Sequence, residues 1–143
     1  MKQALAVFSL VAGLAGFATA PAALAAGKTA LSHIVIQVSD ADPGKWQLAL
    51  NNAQNVQEAL GKDKVTVEIV AYGPGLRMFT TDSKVAGGIN GALDNNVELS
   101  ACAVTMKKMK LTKADLIGGV AVVPGGVIEI MKRESEGWSY LRP

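Results

Sequence analysis

The spacing of apolar positions along the chain alternates between two periods. His33-Ile34-Val35-Ile36-Gln37-Val38-Ser39 is almost continuously apolar and mostly β-branched, the pattern of a strand buried on both faces of a parallel sheet. From Trp46 the spacing changes to three and four: Ala49, Leu50, Ala53, Val56 and Leu60 continue one stripe, with Gln47, Asn51, Asn52, Gln54, Asn55 and Glu58 on the rest of the surface. This predicts a helix over 43–60, with Asp42 as N-cap, Pro43 in the first turn and Gly61 as C-cap. Strands are predicted again at 65–71, 97–101 and 120–123, with a short closing strand at 138–141. Helical segments fall between them, at 76–81, 84–93, 103–109 and 127–135, and Thr112 offers an N-cap to an element at 111–115. The fold class that follows is α/β: a three-layer, Rossmann-like sandwich around a mostly parallel, roughly five-stranded sheet.

Parallel strands place the turns at Asp40, Tyr72 and Cys102 on one edge of the sheet, where open α/β sheets bind ligands. Tyr72-Gly73-Pro74-Gly75 has the glycines for close backbone approach, and its residues are candidate pocket residues. It is neither a G-x-G-x-x-G nor a Walker sequence.

The N-terminus changes the reading of the composition. Lys2 precedes an uncharged apolar run at 4–18, and Ala23-Leu24-Ala25 is a small-x-small cleavage site. Residues 1–25 therefore read as a secretory signal, 26–32 as a flexible tether and 33–143 as one domain. The run is short for a membrane anchor and is broken by Gly13, Gly16 and Pro21, so no stable membrane insertion is expected after cleavage. The expected location is periplasmic or secreted. The full chain carries 14 Lys and Arg against 12 Asp and Glu; without Lys2 it is nearly neutral, which gives no reason to expect a nucleic-acid partner.

Cys102 is the only cysteine, and an exported domain stapled by disulfides would carry an even number. It falls at a predicted strand-to-helix junction, where unpaired N–H groups and the helix dipole favour the thiolate. Thr105, one turn later, can hydrogen-bond that thiolate or cap the helix. Lys107, Lys108, Lys110 and Lys113 form either a solvated helix face or a basic cluster that draws anionic sulfur species to the thiol. His33, the only histidine, is predicted at the opposite sheet edge, which argues against a Cys–His pair. One Cys and one His do not supply a transition-metal site, and no cofactor is expected. Two readings stand: a thiol that accepts sulfur or forms mixed disulfides, and an inert buried cysteine in a non-catalytic binding or assembly module.

The sequence resembles the DsrE/DsrF-like sulfur-relay superfamily, in its small single-domain branch. The resemblance covers about residues 32–143. It rests on His33-Ile34-Val35-Ile36-Gln37-Val38, the helix with Trp46 and Asn51-Asn52, Val67-Glu68-Ile69-Val70-Ala71-Tyr72-Gly73-Pro74-Gly75-Leu76, Ala101-Cys102 with Thr105-Met106, and the ending Glu136-Gly137-Trp138-Ser139-Tyr140-Leu141-Arg142-Pro143. It implies a Rossmann-like sandwich assembled into homo-oligomers, as trimers or hexamers. It also implies sulfur carried as a persulfide at the position of Cys102, with sulfur donor and acceptor proteins as partners, and so at most a sulfurtransferase-like component rather than a stand-alone enzyme.

Overall fold

The computed structural model describes residues 31–143. The secretory signal and all but the last residues of the tether lie outside the described residues; Ser32 already belongs to the first strand. Five strands, β1 (Ser32–Val38), β2 (Val65–Ala71), β3 (Glu98–Cys102), β4 (Ala121–Val123) and β5 (Ser139–Leu141), form one sheet in the order β4-β3-β2-β1-β5. Every pairing is parallel. Four helices connect them: α1 (Pro43–Leu60), α2 (Ala86–Asp94), α3 (Ala103–Met109) and α4 (Gly126–Ser135). The predicted α/β architecture is the observed one.

Strands β1 to β4 are laid down one beside the next in a single direction. Right-handed crossovers then put their connections, α1, α2 and α3, on one face. The chain reverses after β4, and α4 crosses the other face to reach β5. The main core lies on the first face: Ile36, Val67, Ile69, Leu99 and Ala101 meet Trp46, Ala49, Leu50 and Ala53 of α1, with Leu76, Phe79, Ile89 and Met106. Strand alternation turns Val35, Gln37, Glu68, Val70 and Ser100 to the second face, where Ile130 of α4 packs on Val35 and Val70.

Local chemistry explains the boundaries of α1. The Asp42 carboxylate accepts the Gly44 N–H at 2.8 Å, and Gly61 ends the helix at φ +94°, a conformation that favours glycine. Trp46 is buried, and its indole N–H donates to the Asp40 carbonyl at 2.7 Å. Two details differ from the periodicity. Leu60 is exposed because the helix has run past the sheet edge, and Gln57 is buried because its amide donates to the Asn95 carbonyl at 2.8 Å.

Other differences are local. The Tyr72–Leu76 turn does not precede a separate helix; 3₁₀ geometry runs continuously over Gly73–Phe79. Helix α2 starts at Ala86, two residues later than expected, and Ser83 accepts the Val85 N–H just before it. Gly88 lets α2 approach α1 closely: a Cβ there would lie 2.8 Å from Leu50 Cδ1. Strand β4, although wholly apolar, is a short and largely exposed edge. Thr112 and Asp115 cap the 3₁₀ turn Lys113–Asp115 reciprocally. No helix among the described residues is long and apolar enough to cross a membrane.

Candidate functional site

The topology makes one place on the sheet unlike the others. The connection after β3 turns to the α1 face, whereas the connection after the adjacent β4 turns to the opposite face. Between two such strands the carboxyl edge opens into a crevice, the topological switch point of an open α/β sheet. Cys102 ends β3 there and is the N-cap residue of α3. Counting alternately along β3, Glu98 and Ser100 take the α4 face while Leu99 and Ala101 enter the main core; Cys102, at the strand end, packs on the main core and also lines the crevice beside the start of α4.

A cavity of about 280 Å³ occupies the crevice, lined by Tyr72, Cys102, Val104, Thr105 and Gly125 to Ile128. Its rim is apolar and open: Val104, Val127 and Ile128 are each more than half exposed. Cys102 itself is only 5% exposed. Burial pushes its thiol pKa up, but hydrogen bonds more than offset this. Cys102 makes no side-chain cap bond to α3, but the Thr105 hydroxyl and the backbone N–H groups of Gly126, Thr105 and Val104 lie near enough to favour the thiolate, and the net effect is a thiol held below its ordinary pKa.

These donors come from two segments. Val104 and Thr105 contribute the unpaired N–H groups of the first turn of α3, and Gly126 contributes the first residue of α4, from the other side of the sheet. The Thr105 oxygen accepts the Gly73 N–H at 2.9 Å, which leaves its own proton to donate to sulfur. Gly73 adopts φ +53°, and a side chain at Gly126 would put its Cβ 2.9 Å from Tyr72 Cβ and Cδ1. Both glycines thus permit the close approach that surrounds the sulfur with donors.

The structure brings Cys102, Thr105 and Tyr72 into one cavity and links Gly73 to it through Thr105. Pro74 lines a neighbouring cavity of about 490 Å³, whose other walls are Ala41, Tyr72, Gly73, Arg77, Thr105, Lys108 and Met109. Gly75 lines neither of these two cavities. It is buried under β1, where a Cβ would lie 2.5 Å from the Val38 carbonyl oxygen. Of the four lysines near the thiol, only Lys108 lines either cavity. The groups that lower the thiol pKa are neutral N–H and O–H donors. The Gly125-Gly126 start of α4 is the part that sequence reasoning missed. Its signal was present: a Pro-Gly-Gly turn after a strand and before a helix, on the same sheet edge.

His33 lies at the opposite edge, where its ring stacks on Trp138 with centroids 5.0 Å apart, and its Nδ1 is buried without a partner. Arg133 lies over the same indole, 4.4 Å from its centroid, and binds Glu68 at 2.6 Å, Glu129 at 3.1 Å and Glu98 at 3.2 Å. Glu68 is fully buried in β2. Burial raises its pKa, against hydrogen bonds from Ser100 and Arg133 that favour the carboxylate. This network fastens α4 to the sheet. Among the described residues no group of three or more His, Cys, Asp or Glu side chains is arranged to hold a metal ion.

No protein-family model and no curated protein matches the chain. Solved structures do. A protein of unknown function from Methanobacterium thermoautotrophicum, MTH1491, is 31% identical over 78% of this chain and 99% of its own, with a TM-score of 0.75. The YchN protein of E. coli superposes with a TM-score of 0.65 at 17% identity, again over 78% of this chain and 99% of its own. BT1422 from Bacteroides thetaiotaomicron, a conserved protein of unknown function, gives 0.59 at 15%, covering 78% and 95%. The two weaker likenesses bear on fold alone, whereas the first extends to sequence over nearly the whole of its partner. The chain belongs to the family of MTH1491 and has the DsrE/YchN-like fold that these structures share.

Proposed function

We propose that the protein is a sulfur-relay component that carries sulfur on Cys102 as a persulfide. In the accepting step the Cys102 thiolate attacks the outer sulfur of a donor persulfide R–S–SH. A new S–S bond forms at Cys102, the donor S–S bond breaks, and its electron pair leaves on R–S⁻. In the handing-on step an acceptor thiolate attacks the outer sulfur of the Cys102 persulfide, and Cys102 leaves as the thiolate. Neither step needs an external oxidant.

The observation that carries this reading is the place of Cys102: it ends β3 at the start of α3 and lines the open crevice against the start of α4, with N–H and O–H groups of both helices near its sulfur. Such an arrangement stabilises a thiolate before attack and a thiolate leaving group afterwards. The apolar leader at 1–25 supports a periplasmic or secreted location. The family resemblance, with Val127, Ile128 and Met131 exposed on α4, supports a homo-oligomer, a trimer or hexamer in this reading. The near-complete burial of Cys102 favours the other reading, a non-catalytic oligomeric module with an inert thiol.

One experiment separates the two. The alkylation rate of Cys102 in the folded protein is followed against pH, and intact mass is recorded after incubation with polysulfide. A relay thiol gives a midpoint below about 8.5, the value of free cysteine, and gains one sulfur atom. A thiol that stays unlabelled until denaturant is added overturns the proposal.

A further inference from the structure

The larger cavity beside the thiol has a composition of its own. It shares Tyr72 and Thr105 with the cavity around Cys102, so the two meet at the side chains that flank the sulfur. Its walls are apolar at Ala41, Pro74 and Met109, and cationic at Arg77 and Lys108. No carboxylate lines it. Among the described residues, neither Arg77 nor Lys108 makes an ion pair, although Asp82 feels the Arg77 charge. By contrast, Lys45 and Arg142 share Asp40, and Lys132 sits between Glu129 and Glu136. Two cations on one cavity wall with no acid opposite form a receptor for an anion.

We infer that this cavity binds the donor's body, and that the donor is an organic persulfide bearing carboxylate groups, of about tripeptide size. The inference rests on the relay reading of Cys102 and names the substrate class of that site. Volume decides against a bare sulfur oxyanion. A space of about 490 Å³ falls within the roughly 300–1,000 Å³ range of organic-ligand pockets, and a small inorganic anion would leave the Pro74, Tyr72 and Met109 surfaces uncovered. The carboxylates meet Arg77 and Lys108, the apolar part covers Pro74 and Met109, and the outer sulfur reaches Cys102 past Thr105. The sulfur then transfers as above: the Cys102–S bond forms, the donor S–S bond breaks, and the carboxylate-bearing thiolate departs.

The test compares two persulfide donors of the same sulfur chemistry, glutathione persulfide (anionic) and 2-hydroxyethyl persulfide (neutral), by the rate at which Cys102 gains one sulfur in intact mass. The expected result is saturable loading from the anionic donor, at least tenfold faster than from the neutral one and slowed by added salt. The Arg77→Gln/Lys108→Gln variant should lose about tenfold with glutathione persulfide and less than twofold with the neutral donor. Equal loading of the variant and the parent by glutathione persulfide overturns the inference and leaves the relay standing. In a second arm, S-methylglutathione, which carries no transferable sulfur, is titrated into the Cys102→Ser protein with and without the two substitutions. Binding that depends on Arg77 and Lys108 supports the cavity assignment even where no donor loads Cys102, the result that removes the relay instead. Absence of binding in this arm overturns the cavity assignment.

Discussion

Replacing Thr105 by valine removes one hydroxyl and nearly nothing else. The side chain is buried and of the same shape, so the change removes only what the hydroxyl does: it donates towards the sulfur and accepts the Gly73 N–H. A hydrogen bond to a charged group contributes about 1.5–3 kcal/mol, and about 1.4 kcal/mol of preference for one protonation state is one pKa unit. The neutral thiol also accepts a weaker bond from the hydroxyl, and the Val104, Thr105 and Gly126 N–H groups remain in place. The net expectation is a rise of about one unit in the Cys102 pKa. Below both midpoints the thiolate fraction then falls about tenfold, while the more basic thiolate regains part of this through nucleophilicity, with a Brønsted slope of about 0.4–0.5. Alkylation at neutral pH should therefore slow only about threefold, although the midpoint moves by a full unit. The same change strands the Gly73 N–H that Thr105 accepts at 2.9 Å, at a cost of about 1–2 kcal/mol in urea unfolding. Thr105→Ser keeps the hydroxyl and should leave the midpoint within a few tenths of a unit. The assay is iodoacetamide alkylation against pH on folded protein. A Thr105→Val midpoint within about 0.3 units of the parent, with the fold intact, would refute the role assigned to the hydroxyl.

Four further outcomes are expected. Gly126→Ala sets a methyl group against Tyr72 and lifts the start of α4 off the sulfur, so the Cys102 midpoint should rise and stability fall by about 1–3 kcal/mol, read by pH-dependent alkylation and urea titration. Gly75→Ala meets the Val38 backbone rather than a movable side chain, and thermal denaturation should show a loss of about 3 kcal/mol or more. Because the Cys102 pKa is lower folded than unfolded, the unfolded chain binds more protons between the two values. Unfolding free energy relative to Cys102→Ser should therefore rise with pH across that window, level off above about 8.5 and be lost as pH falls through the folded value. Moving the thiol one residue back, as Ala101→Cys with Cys102→Ala, turns it into the main core; it should stay unlabelled by iodoacetamide until denaturant is present, and labelling at the parent rate would contradict the strand parity.

Much of the fold was legible because two signals are strong here. The β-branched runs around Val35 and Val67 mark strands buried on both faces, and the Trp46–Val56 stripe with Asp42 and Gly61 at its ends marks a complete helix. The site was legible only where one segment carried it. Cys102 at a strand end and Thr105 one turn on belong to a single local motif, and the period of the helix places them together. Gly126 could not be assigned in this way, because its approach to the sulfur depends on strand order. Nothing in a linear reading tells that the chain reverses after β4 and sends α4 across the opposite face. Glu68 escaped notice for the same reason: a glutamate inside an apolar strand finds its partner in Arg133, 65 residues away, only once α4 is in place.

The reversal also bears on how a buried thiol can remain reactive. Enclosure by aliphatic side chains alone would hold Cys102 neutral, since burial disfavours the charged form. The same exclusion of water strengthens every hydrogen bond aimed at the sulfur. Which effect prevails depends on how many donors the backbone can bring to one atom. A strand end supplies the first turn of its own helix and no more. At the switch point a second helix begins within reach from the other side, and Gly126 brings its N–H against the thiol because it has no side chain to hold it away. Desolvation is the largest single influence on Cys102, and it is outweighed only by the sum of donors from Val104, Thr105 and Gly126. The reactivity proposed for the thiol is thus a property of the strand order β4-β3-β2-β1-β5 as much as of the cysteine.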